Sequence, residues 1–370
     1  MMLQNPPLAR LELSRSAIQN NFRHFRSLLK PSTRILVLVK ANGYGHGAIP
    51  FAREMEAAGA DYLGVALPGE GVELREAGVN LPILVLTTGT EGYPEVIRYG
   101  LEPGVPDIRT LLRLRDELRK TGRLDYPVHI GLDTGMHRLG FMERDLPALI
   151  ELISESPEIH VEGIYTHLAA ADDPQHDAFT RGQAALFERM CSRIMDVIAY
   201  RPILHMLNSA GTERFPEYQG DMVRLGIGAY GISPVGSESL RPVAAYRCPI
   251  LQIKDLQPGD GTVGYGRHGV VGPSGTRTAT ICVGYADGIN RHLGCGRAAF
   301  EVNGQMAPTI GNICMDMCML DVTGIDCREG DIVTIFGDRP TAAGLARILD
   351  TIPYEILTSV PLRVKRVVVD

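Results

Sequence analysis

The sequence predicts an α/β chain in which a (β/α)8 barrel of the TIM type is followed by a C-terminal, mainly antiparallel β domain. Three observations predict it. Short runs rich in Val, Ile and Leu recur through the first two-thirds of the chain, separated by stretches with helical spacing and charged faces, the pattern of a buried parallel sheet with crossover helices. The runs number eight, the count that closes such a barrel within roughly 250 residues. After about residue 237 strand-like runs continue, but the long helical segments between them largely stop.

The eight runs are Ile35–Val39, Tyr62–Ala66, Ile83–Leu86, Leu101–Val105, Val128–Leu132, Val161–Tyr165, Leu204–Leu207 and Val223–Gly226, the fourth having the weakest signal. Beyond them, Ala244–Ile253, Thr278–Val283, Ala299–Val302, Cys318–Val322 and Ile332–Phe336 read as strands, punctuated by Gly259-Asp260-Gly261 and Asn303-Gly304 turns. Leu8–Leu13 alternates apolar and polar ahead of the first helical segment, so it is expected to join the second domain. The expected domains are residues 14–237 for the barrel and 238–370, with strand 8–13, for the β domain.

The 370 residues are 45% hydrophobic and 22% charged, with a net charge of -6 spread along the chain, which gives no basic surface for nucleic acid or an anionic membrane. Met1–Arg15 has no basic head before an apolar core, and no stretch approaches the roughly 18 apolar residues of a membrane span. A cytoplasmic protein is expected, initiated at Met1 or Met2. The seven cysteines are odd in number and form no paired CxxC frame; free thiols are expected, and Cys314 with Cys318 lacks the second ligand pair a metal would need.

The first run ends in Val39-Lys40-Ala41-Asn42-Gly43-Tyr44-Gly45-His46-Gly47, which puts a lysine at the C-terminal mouth of the barrel, before glycines that let backbone approach a ligand. A buried lysine loses its charge readily, and an uncharged amine is what Schiff-base chemistry with an aldehyde cofactor needs; a lysine reaching out to solvent is the ordinary alternative. Phosphate sites in this fold follow the seventh and eighth strands, where the chain has Asn208-Ser209-Ala210 and Arg224-Leu225-Gly226-Ile227-Gly228. Ser209 with the amides of Gly226 and Ile227 suits a phosphate, Arg224 is placed to reach a cofactor ring, and His167 follows the sixth run. Gly264-Tyr265-Gly266-Arg267-His268-Gly269 matches GxGxxG in form, but no helix follows it, so a nucleotide fingerprint is rejected. Tyr265 itself, between two glycines, is accessible enough for acid or base work.

The Lys40 segment resembles the cofactor-lysine motif of the alanine racemase family. Asp133-Thr134-Gly135-Met136-His137-Arg138-Leu139-Gly140, Gly163-Ile164-Tyr165-Thr166-His167, Asn208-Ser209-Ala210, Val223-Arg224-Leu225-Gly226-Ile227, Gly264-Tyr265-Gly266-Arg267, Cys314-Met315-Asp316 and Ile352-Pro353-Tyr354 resemble further family motifs, from near residue 8 to the C-terminus. The resemblance implies a fold-type III barrel with a β domain, pyridoxal 5'-phosphate, an amino-acid substrate and a head-to-tail homodimer. It also implies roles. Lys40 would carry the cofactor and serve as the base for the D-enantiomer. Tyr265 of the partner subunit would serve the L-enantiomer from the opposite face. Tyr44, Ser209, Gly226, Ile227 and Tyr354 would bind phosphate, Arg138 would contact the cofactor's phenolic oxygen, and Met315 of the partner subunit would offer its amide to the substrate carboxylate. Arg224 would face the pyridine nitrogen; because it only donates, that nitrogen stays unprotonated and the ring is a weakened electron sink. His167 would bridge Arg224 and Tyr265 in a cationic network that lowers the tyrosine's pKa.

Two positions depart from the family pattern. Gly131 stands where many members carry a lysine modified to a carbamate, so Arg138 would be balanced by an anion such as chloride or by ordered water, since an unpaired buried guanidinium is costly. Asn312 stands where an arginine lines the access corridor in many members, although Asp172, Tyr285, Arg291 and Ile352 of that corridor are present. The activity this implies is racemisation of alanine, supplying D-alanine for peptidoglycan or its catabolism. A racemase preferring serine or another small amino acid, an amino-acid decarboxylase of similar architecture and a cofactor-binding module without activity are the alternatives; decarboxylation needs no second base such as Tyr265.

Overall fold

The computed structural model describes residues 9–89 and 91–370, so Met1, Met2 and Leu8 lie outside the described residues. Strand β1 (Arg10–Ser14) is followed by β2 (Arg34–Leu38), β3 (Tyr62–Val65), β4 (Ile83–Val85), β5 (Glu102–Val105), β6 (Tyr126–Gly131), β7 (Ile159–Tyr165), β8 (Ile203–His205) and β9 (Met222–Leu225). Strands β2 to β9 form an eight-stranded sheet in the order β8-β7-β6-β5-β4-β3-β2-β9, with every pair parallel. Asp221 N donates to Leu204 O and Arg224 N to Leu207 O, both at 2.9 Å, and these bonds tie β9 to the β8 segment so that the ring closes. All eight expected runs are strands, the weak fourth one included.

These strands are buried on both faces, which is why they read as continuous apolar runs: Ile35, Leu36 and Val37 have no exposed surface. The crossover helices show the complementary pattern. In Ile108–Thr121 the apolar side chains Leu111, Leu114 and Leu118 recur every three or four residues and are buried; Asp107 caps the start by accepting from Thr110 N, and Gly122 ends it in the left-handed conformation at φ 64°.

Then follow β10 (Ala244–Leu256), β11 (Thr262–Val263), β12 (Gly269–Val270), β13 (Thr276–Ile281), β14 (Ala299–Val302), β15 (Gln305–Pro308), β16 (Cys318–Asp321), β17 (Ile332–Phe336) and β18 (Lys365–Val369). Strand β1 pairs antiparallel with β10 and parallel with β18, so the second sheet is mainly, not wholly, antiparallel. The short strands β11, β12 and β15, the strand β18 and the helices Ala342–Ile348 and Pro353–Thr358 are additions to the sequence reading. Asn303 and Gly304, at φ 47° and 79°, make the two-residue turn joining β14 to β15.

The described residues separate into two compact units: Ile18–Gly43 with Phe51–Arg241, and residues 9–17 with Tyr44–Pro50 and Pro242–Asp370. Tyr44–Pro50 lies inside the expected barrel span, yet it packs within the second unit. Arg366 donates to Gly45 O through Nε at 3.0 Å and Nη2 at 2.7 Å. Gly45 sits so close to the Leu357 carbonyl that a Cβ there would overlap its oxygen, and its φ of +81° would strain any other residue. Among the described residues no helix is long and apolar enough to cross a membrane, and no group of three or more His, Cys, Asp or Glu is placed to hold a metal. The seven cysteines are free thiols.

Candidate active site

Lys40 leaves the C-terminal end of β2 into four consecutive residues of left-handed backbone, Ala41, Asn42, Gly43 and Tyr44, at φ 52°, 53°, 60° and 49°. For residues with a Cβ this conformation costs roughly 1–2 kcal/mol each. Within the barrel unit, two sets of bonds hold the start of the turn. Gly43 N donates to Val39 O at 2.7 Å, and Ala41 N donates to Glu70 Oε1 at 2.6 Å. Glu70 Oε2 takes Ala66 N and Leu67 N as well, so one carboxylate joins the ends of β2 and β3. Burial and then the Arg138 cation push the Lys40 amine below its ordinary value, with Glu70 opposing the shift.

A chain of polar side chains runs through the barrel interior, where polar groups are costly unless paired. Arg224 on β9 donates through Nη1 to His205 Nδ1 at 3.0 Å and to His205 O at 2.7 Å; His205 Nε2 lies 3.0 Å from His129 Nδ1, and His129 Nε2 lies 2.9 Å from Glu102 Oε2. The proton positions follow from the ends of the chain. A guanidinium only donates, so His205 Nδ1 accepts; its Nε2–H then donates to His129 Nδ1, and His129 Nε2–H donates to the carboxylate. Arg224 Nη2 is spent on Thr166 O, Met206 O and, at 3.4 Å, His167 Nδ1. That leaves Nε–H as the guanidinium donor without a partner among the described residues.

Burial, with the positive charges of Arg224, Arg138 and Lys40, pushes His167 down to about 3, and burial with Arg224 and His129 holds His205 well below its ordinary 6.5. The expected cationic network therefore has its charge on the arginine and not on the His167 imidazole. This fixes a pH dependence. Both folded values lie below the unfolded one, so the unfolded chain binds more protons as pH falls. Their contribution is fully present above about pH 6.5 and is lost as pH drops toward the folded values. Urea unfolding between pH 7 and 5, above most carboxylate titration, should show stability falling by up to about 1.4 kcal/mol per pH unit for each histidine. A His167→Gln variant should lose its share of that slope.

Ser209, 4% exposed, accepts from Gly226 N at 2.9 Å and Gly228 N at 3.3 Å, so the Gly226 amide is turned onto the serine oxygen, leaving the serine O–H to donate elsewhere. Ile227 begins the 3-10 turn Ile227–Tyr230, and its N–H, a donor of the helix start, has no hydrogen-bond partner among the described residues. The space beyond Gly131 is filled by Tyr165: a Cβ at 131 would lie 3.1 Å from the phenol's Cζ and oxygen. The Tyr165 ring stacks on His205 at 5.3 Å and lies 5.5 Å from the Arg224 guanidinium carbon. Arg138, the guanidinium expected to be balanced by an anion or water, is exposed in the single chain.

In the second unit, Tyr265 is 74% exposed at the tip of the β11–β12 hairpin, and Met315 is 54% exposed in a loop held by Ala286 N donating to Met315 O at 2.9 Å. The Tyr44 and Tyr354 rings lie 5.8 Å apart, and burial followed by the Tyr354 charge pushes the Tyr44 phenol well up. Asn312 is 7% exposed and bonds the Tyr265 loop, so it is not open wall. Thus Lys40, Arg138, His167, Ser209, Arg224, Gly226 and Ile227 belong to the barrel unit, and Tyr44, Tyr265, Met315 and Tyr354 to the other. Sequence reading missed Glu70, Glu102, His129, Tyr165 and His205. His129 and His205 left a usable signal, a histidine inside an apolar strand run; Glu70 left none, since its partners are backbone amides.

The fold and these side chains define a barrel enzyme with a lysine of lowered pKa at a strand mouth and serine and amide donors suited to a small anionic ligand. Residues 13–234 match the alanine racemase N-terminal domain and residues 243–368 its C-terminal domain, and the chain belongs to the alanine racemase family. It is 37% identical over 370 residues, 96% of each chain, to alanine racemase 1 of Oceanobacillus iheyensis. It is also 37% identical over 373 residues to the alanine racemase of a Synechocystis species, covering 97% of this chain and 98% of that one. The solved alanine racemase of Streptomyces lavendulae superposes with a TM-score of 0.92 at 33% identity, over 99% of this chain and 98% of that one. The Bartonella henselae alanine racemase, with covalently bound pyridoxal phosphate, gives 0.86 at 29% identity, over 98% and 100%.

Proposed function

We propose that this chain interconverts L- and D-alanine with pyridoxal 5'-phosphate, using two bases on opposite faces of the substrate. The observation that carries the proposal is the Lys40 amine, held below its ordinary pKa in the same unit as the Ser209–Ile227 donors. These residues fit the cofactor. Lys40 supplies a readily uncharged nucleophile for an aldehyde, the Ser209 O–H and Ile227 N–H are donors for a phosphate, and Arg224 Nε–H is a donor for a ring nitrogen. When bound, pyridoxal phosphate supplies the aldehyde that captures the substrate nitrogen and a ring that draws electron density from the α-carbon.

Lys40 Nζ takes or returns the α-proton on the D-face, and the Tyr265 phenol does so on the L-face from a second copy of the chain in a homodimer. Because Arg224 donates and never accepts, its Nε–H would hold a ring nitrogen without protonating it. Arg138 is assigned the cofactor's phenolic oxygen and the substrate, and the Met315 amide of the second copy the substrate carboxylate. Tyr44 and Tyr354 are assigned to the phosphate on the family resemblance, and Gly226 to it through Ser209, whose oxygen the Gly226 amide holds. The enzyme would work in the cytoplasm.

Proton NMR of the cofactor-loaded protein in deuterated water, given L- and D-alanine, serine and a basic amino acid in turn, tests this reading. Loss of the α-proton signal with inversion, fastest for alanine, is expected. Carbon dioxide release, or exchange without inversion from either enantiomer, would overturn it.

A further inference from the structure

Within its own chain the Tyr265 ring is exposed, so nothing in that chain packs against the ring to aim the phenol, and the loop backbone sets its direction of approach. That backbone is a tight tip in which Gly264, Gly266 and Arg267 all take left-handed φ, at 76°, 68° and 57°. The hairpin below it has only two residue pairs, Thr262 with Val270 and Val263 with Gly269, and a two-stranded ribbon of that size is marginal alone. Besides that strand pairing, its internal bonds are Arg267 N to Gly264 O at 3.2 Å and Arg267 Nε to Thr262 Oγ1 at 3.2 Å. Neither anchors the tip to the body of the unit. Asn312 does, on a different segment of chain. Its Nδ2 donates to Tyr265 O at 2.7 Å and to His268 Nδ1 at 3.1 Å, using both amide hydrogens, while its Oδ1 lies 3.7 Å from Cys295 Sγ. Among the described residues it is the one side chain outside the hairpin that hydrogen-bonds it.

We infer that Asn312 is a positioning residue for Tyr265, fixing the loop backbone so that the phenol meets one face of the substrate. The inference rests on Tyr265 being the L-face base. A misplacement on the order of 1 Å costs up to about 10²-fold in a proton transfer. Loosening the tip should therefore damage the Tyr265 half-reaction and spare the Lys40 half.

The test compares initial α-proton loss from L-alanine and from D-alanine in deuterated water for the cofactor-loaded wild type and the Asn312→Ala, Tyr265→Phe and Cys295→Ala variants. Asn312→Ala should slow loss from L-alanine at least about tenfold while loss from D-alanine stays within about twofold. Amide hydrogen exchange across Gly264–His268 should rise, and Cys295→Ala should change neither enantiomer. If Asn312→Ala does not fold, Asn312→Asp keeps the size, removes the donor and should give the same split. Should Tyr265→Phe show the split while the Asn312 variants slow both enantiomers alike or neither, the positioning role is wrong and the two-base reading stands. If Tyr265→Phe itself shows no split, the two-base reading fails and takes this inference with it.

Discussion

Replacing Lys40 with alanine is expected to lower racemisation of both enantiomers by at least about 10³-fold, toward the upper end of what one positioned acid–base group contributes, because the same amine is also the proposed cofactor anchor. The more telling variant is Lys40→Arg. It preserves the positive charge beside Arg138 and most of the volume, but a guanidinium neither deprotonates near neutral pH nor condenses readily with an aldehyde. Lys40→Arg should thus be as inactive as Lys40→Ala, whereas a lysine needed only for its charge would leave an active arginine variant. Added methylamine should restore part of the activity of Lys40→Ala and none of that of Lys40→Arg. Chiral analysis of alanine after timed incubation reads both. Lys40→Arg retaining more than about a hundredth of the wild-type rate would remove Lys40 as the base.

The barrel was legible because parallel strands buried on both faces leave uninterrupted apolar runs, and even the run before Gly104-Val105 carried enough of that signal. Strand β18 was not, because Lys365-Arg366-Val367-Val368-Val369 is only partly buried and its partner β1 lies at the far end of the chain. The assignment of Tyr44–Pro50 to the second unit escaped for a related reason. It depends on Arg366 and Leu357, more than 300 residues downstream, and no local pattern announces such contacts. At the site, Lys40, Ser209 and Arg224 sit where barrel geometry puts chemistry, at strand ends, so their positions were readable from strand order alone. What holds them was not. Glu70 serves Lys40 through backbone amides, Asn312 serves Tyr265 through a carbonyl, and no side-chain pattern records a bond to backbone.

Arg224→Glu is expected to destabilise the fold by about 3–5 kcal/mol, because it places an unpaired carboxylate in the barrel interior, and to cost about 10²–10³ in activity through the lost donor. The sequence of hydrogen bonds says why, and how to reverse part of it. With a carboxylate at 224, directly or through one water, His205 Nδ1 must donate where it accepted. His205 Nε2 then accepts from His129 Nδ1–H, and His129 Nε2, now bare, faces Glu102 Oε2 at 2.9 Å. Two acceptors meet there, so the variant must either bind an extra proton or leave the pair repelling in a barrel interior. A glutamine at 102 removes the conflict, since its amide donates to His129 Nε2 and the whole chain runs in the opposite direction. Glu102→Gln alone should cost little, because its amide oxygen still accepts from His129 in the original direction. The Arg224→Glu/Glu102→Gln double variant should therefore be more stable than the two single effects add up to, by about 1–3 kcal/mol in urea unfolding. The stability of Arg224→Glu should also fall as pH rises and the extra proton is lost, a dependence the double variant should not show. Additive effects in that cycle would mean that Glu102, His129, His205 and Arg224 are neighbours in the barrel without acting as one directed chain.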